Sequence, residues 1–150
     1  MRLAVRPLAA AGALLLMLSA CGGKPATLAV EDAYVRLPAV PGNPAAAYFT
    51  IDGGATADRL VSVSSDMVPR IELHASTMHG GTMTMAPLAG VDIPAGGEVA
   101  FAPAGHHVML FGLPAAVTKG SDVPLTLRFK SGAILGLAAK AIAAGDKAPD

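Results

Sequence analysis

Short apolar runs alternate with turn-forming segments along most of the chain. Glycine, proline, aspartate and serine separate the runs from one another. Short strands at this spacing are typical of an antiparallel β-sandwich or β-barrel. The predicted strands lie within residues 28–37, 45–52, 59–65, 70–76, 82–88, 97–103, 106–113, 123–129 and 133–142.

The last apolar run is compatible with two kinds of element. Residues 133–144, AILGLAAKAIAA, are rich in alanine and leucine, which favour a helix by propensity. With the preceding LTLRF and KSG, however, the segment has the pattern of a β-hairpin with a glycine turn. We therefore predict a strand here and an all-β domain.

The N-terminus has the pattern of a bacterial lipoprotein signal. A basic start precedes an apolar run at residues 8–18, which is too short to span a bilayer comfortably. Residues 18–21, LSAC, resemble a lipobox, in which the cysteine is lipidated and the preceding peptide is removed. An ordinary signal peptide is the alternative. The predicted segments are a signal peptide (1–20), a lipid-anchored tether (21–29), a β-sandwich domain (30–143) and a loose tail (144–150).

Composition argues against nucleic-acid binding and against an intramolecular disulfide. Residues 21–150 carry 9 basic and 11 acidic side chains, a formal charge of −2, and they contain no basic patch suited to nucleic acid. The one cysteine, Cys21, lies in the lipobox, so the fold has no intramolecular disulfide and depends on its core.

The lipoprotein signal predicts the location of the protein. We expect a protein of the bacterial cell envelope that faces the periplasm. Gly22, the residue after the lipobox cysteine, allows an anchor in either the inner or the outer membrane.

Histidine and methionine are concentrated in one window. Residues 74–109, 36 of the 130 residues after the signal, contain eight of the nine histidines and methionines found there. A single methionine in a strand usually fills a core, and a single histidine is usually a surface or satisfied core residue. The clustering therefore favours a metal site.

Strand geometry sharpens this hypothesis. Residues i and i+2 of a strand share a face, so His107 and Met109 point the same way and His106 points the other. If residues 70–88 form a hairpin that turns at His79 and Gly80, then His74 lies opposite Met85, and Ser76 lies opposite Met83. Directly opposed side chains have Cβ atoms about 5 Å apart, close enough to share one ion.

Two imidazoles and two thioethers favour Cu(I). Soft sulfur ligands select Cu(I), whereas magnesium and calcium require oxygen ligands. A blue-copper site needs a cysteine thiolate, and the only cysteine lies in the lipobox. Imidazole must be neutral to bind a metal, so we expect binding to weaken below about pH 6.

The spacing of these residues resembles the signature of the periplasmic copper chaperones of the PCu(A)C family. His74 is followed by ten residues and Met85, then by twenty-one residues, His107, one residue and Met109. Family members often carry a methionine just after the first histidine, where this chain has Ala75. Residues 33–51, 71–74, 93–113 and 123–129 also resemble family segments, and the likeness spans residues 33–137.

The resemblance implies a cupredoxin-like antiparallel β-sandwich with Greek-key connections. It further implies a non-enzymatic carrier that binds Cu(I), with Cu(II) open as a second ion. Copper would pass to the CuA subunit of cytochrome c oxidase or a related cuproprotein, with a Sco-type thiol protein as a further partner. The implied ligands are His74, Met85, His107 and Met109. The auxiliary candidates are Met78, Met83, His79 and His106.

Three other functions stay open. A hydrolase could use His106 and His107 with Asp92 or Glu72, but no hydrolase motif is present and methionines add nothing to acid–base chemistry. A Cu(II) or zinc lipoprotein for storage or tolerance could use the four histidines. A purely structural lipoprotein domain is the third alternative.

Overall fold

The computed structural model describes residues 26–149, all of which are strand, turn or irregular chain. The predicted signal peptide and Cys21 lie outside the described residues. The strands are β1 Ala29–Arg36, β2 Ala45–Asp52, β3 Asp58–Ser64, β4 Arg70–His79, β5 Thr82–Pro87, β6 Val91–Ile93, β7 Glu98–Phe101, β8 His106–Phe111, β9 Asp122–Phe129 and β10 Ile134–Ile142.

The strands hydrogen-bond in the order β5-β4-β8-β7-β2-β1-β10-β9-β3-β6, and β8 also pairs with β2. Most neighbours are antiparallel, but β1 pairs with β10, and β7 with β8, in parallel. The sheet is therefore mixed, and the all-β, cupredoxin-like class predicted from the sequence is confirmed. β9 and β10 form the predicted hairpin, so the ambiguous segment is a strand.

Alternation of apolar and polar residues builds the core. In β9, Val123, Leu125, Leu127 and Phe129 are buried, while the residues between them lie towards the outside. Their side chains join one apolar cluster with buried residues of β2, β4 and β8. β3 and β4 come from distant places in the strand order, yet they line a common cavity, so the sheet curls around this core.

The structure adds one strand to the nine predicted. β6 has three residues, Val91–Ile93, and pairs with β3 at the edge of the sheet. None of the nine predicted strands covers this segment, which Gly90 and Pro94 flank closely, a pattern typical of a turn. Two of its three side chains, those of Val91 and Ile93, nevertheless belong to the core.

The segment after β10 is held against the domain as far as Asp146. The Arg36 guanidinium donates to the carbonyl oxygens of Ala144 and Asp146 at 2.9 and 2.7 Å. Lys119 forms an ion pair with the Asp146 carboxylate at 2.9 Å. The first part of the predicted tail is thus a turn fixed by two cations. Residues 26–149 contain no helix that is long and apolar enough to cross a membrane.

Candidate metal centre

The candidate site lies where β4 and β8 pair in an antiparallel manner. In this register Glu72 lies opposite Met109, and His74 lies opposite His107. Leu73 alternates with these residues and enters the apolar core. The four opposed side chains therefore share the face of the sheet that points away from the core, as the period of two predicts for His107 and Met109.

His107 is the one buried polar or charged side chain among residues 26–149, with 4% of its surface exposed. Its Nδ1 lies 3.0 Å from the Gly105 carbonyl oxygen and donates to it. This hydrogen bond places the ring proton on Nδ1 and leaves a lone pair on Nε2. Nε2 is buried and has no hydrogen-bond partner within residues 26–149. An imidazole fixed through one nitrogen, with the other nitrogen free, is the usual arrangement of a metal-binding histidine.

A tight turn before β8 positions the Gly105 carbonyl. The Gly105 N–H donates to the Ala102 carbonyl at 3.0 Å, and Ala104 has a φ of 66°. A non-glycine residue in this left-handed region is strained, and such strain is concentrated at functional sites. The Gly105 carbonyl also accepts the Ser76 N–H at 3.0 Å. The turn is thereby joined to β4 beside the histidines.

His74 is held next to His107 by an acidic residue. The two ring centroids are 5.8 Å apart, and His74 Nε2 lies 2.9 Å from Glu72 Oε2. Arg70 Nε lies 3.7 Å from the other Glu72 oxygen, and its guanidinium lies over the Phe111 ring at 3.9 Å. From the sequence, Glu72 is a candidate only for the hydrolase alternative. The signal for this contact was its position two residues before His74, which puts both on one face of a strand.

The predicted register of the hairpin is wrong by two residues. His74 lies opposite Pro87, Ser76 opposite Met85, and Met78 opposite Met83. The turn is therefore formed by Gly80 and the residue after it, not by His79 and Gly80. Because the shift is an even number, the methionines still share the face of His74. Met85 therefore lies opposite Ser76, which is two residues after His74 in β4. Met85 is thus diagonal to His74 and not directly opposite it.

The two auxiliary histidines lie in different surroundings. His106 points to the other side of β8, where its ring packs 5.6 Å from that of the buried Phe101. His79 is exposed near the end of the hairpin and pairs with Thr82. Within the described part of the chain, no three side chains of the His, Cys, Asp and Glu types come together to hold a metal. The four histidines therefore do not converge, and a metal at His74 and His107 needs methionine sulfur as a further donor.

Solved structures share this arrangement of strands. The "Copper-bound PCuAC domain from PmoF2" matches with a TM-score of 0.65 and 21% identity, over 79% of this chain and 95% of that one. The "Solution structure of CuI-DR1885 from Deinococcus Radiodurans" matches with a TM-score of 0.59 and 27% identity, over 81% of this chain and 82% of that one. The protein is thus a β domain of the PCu(A)C type, which confirms the resemblance predicted from the sequence.

Sequence comparison assigns the family more narrowly. The profile of the family described as "Putative lipoprotein LpqE-like" matches residues 28–141, and the chain belongs to this family. The protein named "Putative lipoprotein Lxx21020" from Leifsonia xyli subsp. xyli (strain CTCB07) is 36% identical over 74 residues. That match covers 49% of this chain and 45% of the relative, so it spans less than half of the relative's length.

Proposed function

We propose that this protein is a Cu(I)-binding copper chaperone that uses His74, Met85, His107 and Met109 as ligands. One observation carries the proposal: His107 keeps a buried nitrogen without a hydrogen bond, on a ring fixed by the Gly105 carbonyl. A buried polar atom without a partner costs about 1–3 kcal/mol, so a fold retains one for a reason. Copper supplies the missing partner.

The neighbouring donors support Cu(I) as the cargo. His74 lies directly opposite His107, and Met109 follows two residues later on the same face. Neutral imidazole and neutral thioether suit a soft monovalent ion. Met109 is partly exposed and Met85 is 60% exposed, so the site opens to the outside. An acceptor can therefore approach the ion, as a carrier requires.

Anaerobic titration tests the site. The purified protein competes for Cu(I) with a chromogenic Cu(I) chelator, beside His107→Ala and Met109→Leu. We expect the parent to hold one Cu(I) tightly and both variants to release it to the chelator. Met67→Leu is the matched control, because Met67 is an exposed methionine in the turn between β3 and β4. Failure of the parent to compete with the chelator would overturn the proposal.

A Cu(II) or zinc lipoprotein for storage or tolerance is the competing function. The Glu72 carboxylate beside His74 favours it, because zinc accepts carboxylate oxygen whereas Cu(I) prefers soft sulfur ligands. The same titration distinguishes the two functions when it is repeated with Zn(II) and Cu(II). Preference for Cu(I), with sensitivity to Met109→Leu, supports the chaperone. Preference for Zn(II) or Cu(II), with no sensitivity to Met109→Leu, supports the competing function.

Delivery to the CuA subunit of cytochrome c oxidase, or to a related cuproprotein, is the second part of the proposal. It is supported by the likeness to PCu(A)C domains, and a Sco-type thiol protein is the expected further partner. Mixing the Cu(I)-loaded protein with a copper-free CuA domain, whose thiols are kept reduced by that partner, tests it. Two Cu(I) ions give the colourless reduced centre, so the separated acceptor is then oxidised by one electron with ferricyanide. Appearance of the CuA absorption bands is expected after that oxidation, and unchanged spectra would count against this acceptor.

The protein acts from the periplasmic side of the envelope, anchored through a lipid on Cys21. The family description and the name of the Leifsonia relative, both of which contain the word lipoprotein, support this part of the proposal. Cells fed a labelled fatty acid are expected to label the parent and not Cys21→Ser. Equal labelling of both proteins would exclude Cys21 as the anchor.

A further inference from the structure

The hairpin of β4 and β5 carries three exposed methionines on one face. Met78, Met83 and Met85 are 60%, 48% and 60% exposed, and Met78 lies directly opposite Met83. The other face carries Thr77 and Thr84, whose hydroxyl oxygens are 3.1 Å apart. The methionines are therefore segregated onto the face that also holds His74.

Packing does not explain these methionines. Neither apolar cluster of the described chain includes them, and every residue of β5 is exposed. β5 is also an edge strand, and natural edge strands usually carry charges that prevent pairing with other chains. Residues 75–91 contain no lysine, arginine, aspartate or glutamate. Three exposed thioethers on an uncharged edge thus call for a chemical explanation.

The Met78–Met83 pair is too remote to complete the site at the two histidines. Met78 is four positions after His74, which is about 13 Å along a strand at roughly 3.3 Å per residue. Met85 lies between them, opposite Ser76 and diagonal to both His74 and Met78. The donors thus form a line along one face, from exposed thioethers at the hairpin end to the buried imidazole of His107.

From this line of donors we infer a second copper site, formed by Met78, Met83 and Met85, that loads and unloads the histidine site. The inference rests on the proposed function, because it assigns the same cargo. Three thioethers without imidazole or carboxylate select Cu(I) and hold it more weakly than the histidines do. Met85 is shared, so an incoming ion exchanges one neutral ligand for another as it moves to the histidines. When the histidine site is filled and holds Met85, a second ion is bound by Met78 and Met83 alone. Copper remains Cu(I) throughout, and no proton or electron is transferred.

Methionine methyl groups report this site directly. The purified protein, labelled with ¹³C at the methionine methyl groups, is titrated anaerobically with Cu(I) and followed by NMR. We expect the parent to bind a tight equivalent and then a weaker one, and the weaker one to shift the methyl signals of Met78 and Met83. In His107→Ala the tight equivalent is lost and these shifts persist. In Met78→Leu/Met83→Leu the tight equivalent remains and the weaker one is lost, since leucine keeps the volume without the sulfur.

The outcomes separate this inference from the proposed function. A parent that binds only the tight equivalent, with unshifted Met78 and Met83 signals, would overturn the second site and leave the chaperone intact. A weaker equivalent that survives in Met78→Leu/Met83→Leu would do the same. A parent that lacks the tight equivalent would overturn the chaperone itself. Met67→Leu, which changes an exposed methionine outside the hairpin, controls for the loss of any thioether and is expected to bind both equivalents.

Discussion

Nε2 of His107 is buried and makes no hydrogen bond within the described chain. The ring donates only to the Gly105 carbonyl, and that oxygen also accepts the Ser76 N–H. Removing the imidazole therefore leaves Gly105 satisfied. We therefore expect His107 to lower the stability of the copper-free protein, as a residue retained for the proposed copper site would.

His107→Leu is expected to abolish tight Cu(I) binding and to stabilise the copper-free protein by about 1 kcal/mol or more, since the unpaired buried nitrogen disappears. Functional residues often carry such a cost to stability. Urea unfolding of the metal-free parent and variant measures the difference. A clear loss of stability in His107→Leu would show that the imidazole is structural.

Glu72 sets the orientation of the other imidazole. If Nε2 of His74 donates to Glu72, as the 2.9 Å contact indicates, the proposed site would use Nδ1 of His74 as the copper ligand and Glu72 as a positioning residue. Glu72→Ala is then expected to weaken Cu(I) binding by about 10–100-fold, the usual effect of removing such a partner. Chelator competition measures it, with stability followed in parallel. Tighter binding in Glu72→Ala would show instead that Glu72 competes with copper for Nε2.

The face on which a side chain lies was predictable where the alternation of residues within one strand decides it. His107 and Met109 share a face because they are two residues apart in β8, and no partner strand is needed to see it. The pairing of His74 with Met85 also required the turn, and that part of the prediction failed. The spacing of two residues placed Glu72 and His74 on one face of the strand. No sequence motif indicated, however, that the two side chains would make contact.

At the scale of elements, the β4–β5 turn shows why the register was wrong. A two-residue hairpin turn of this kind needs positive φ at both central residues. Gly80 and Gly81 have φ values of 56° and 81°, whereas a turn at His79 and Gly80 would force a histidine into that region. The Gly-Gly pair thus places the turn one residue later. β6 was missed for a different reason, since three residues are too few to show a period.

A second element contact links the start of β3 to the β9–β10 turn. The hydroxyl of Ser131 donates to the Asp58 carboxylate, which also accepts the N–H groups of Arg59 and Ser131. These hydrogen bonds hold the pKa of Asp58 below its ordinary value of 3.8, and the bond from the Ser131 hydroxyl has the largest effect. The contact therefore stabilises the fold above pH 3.8 and is lost as the pH falls through the lower folded-state pKa.

Asp58→Asn is expected to lower the melting temperature at neutral pH. The difference from the parent should shrink as the pH falls from 3.8 through the lowered folded-state pKa of Asp58, because the parent's carboxylate then becomes protonated. Thermal unfolding across this range measures the difference between parent and variant. Ser131→Ala removes one donor and should show a smaller effect with the same dependence on pH. A difference that stays constant from neutral to acid pH would contradict the role of the charged carboxylate.

At the scale of the molecule, the apolar core and the candidate site lie on opposite faces of the same strands. The side chains of Leu73 and Val108 lie in the core, while those of His74 and His107 lie on the opposite face of the same two strands. The sequence was sufficient for the all-β class because turn residues delimit nearly every strand. The parallel pairing of β1 with β10 was not predictable, since it joins the two ends of the domain and no local pattern records it.

Because β4 and β8 hold both the site and the core, copper is expected to stabilise the whole domain. Free Cu(I) buffered at 100 times its dissociation constant adds about 2.7 kcal/mol if the unfolded chain does not bind it. For a domain of this size that raises the melting temperature by roughly 10 °C. Anaerobic thermal unfolding with and without buffered Cu(I) measures the shift, which should vanish in His107→Leu and persist in Met67→Leu. An equal shift in His107→Leu would mean that the stabilising copper binds elsewhere on the chain.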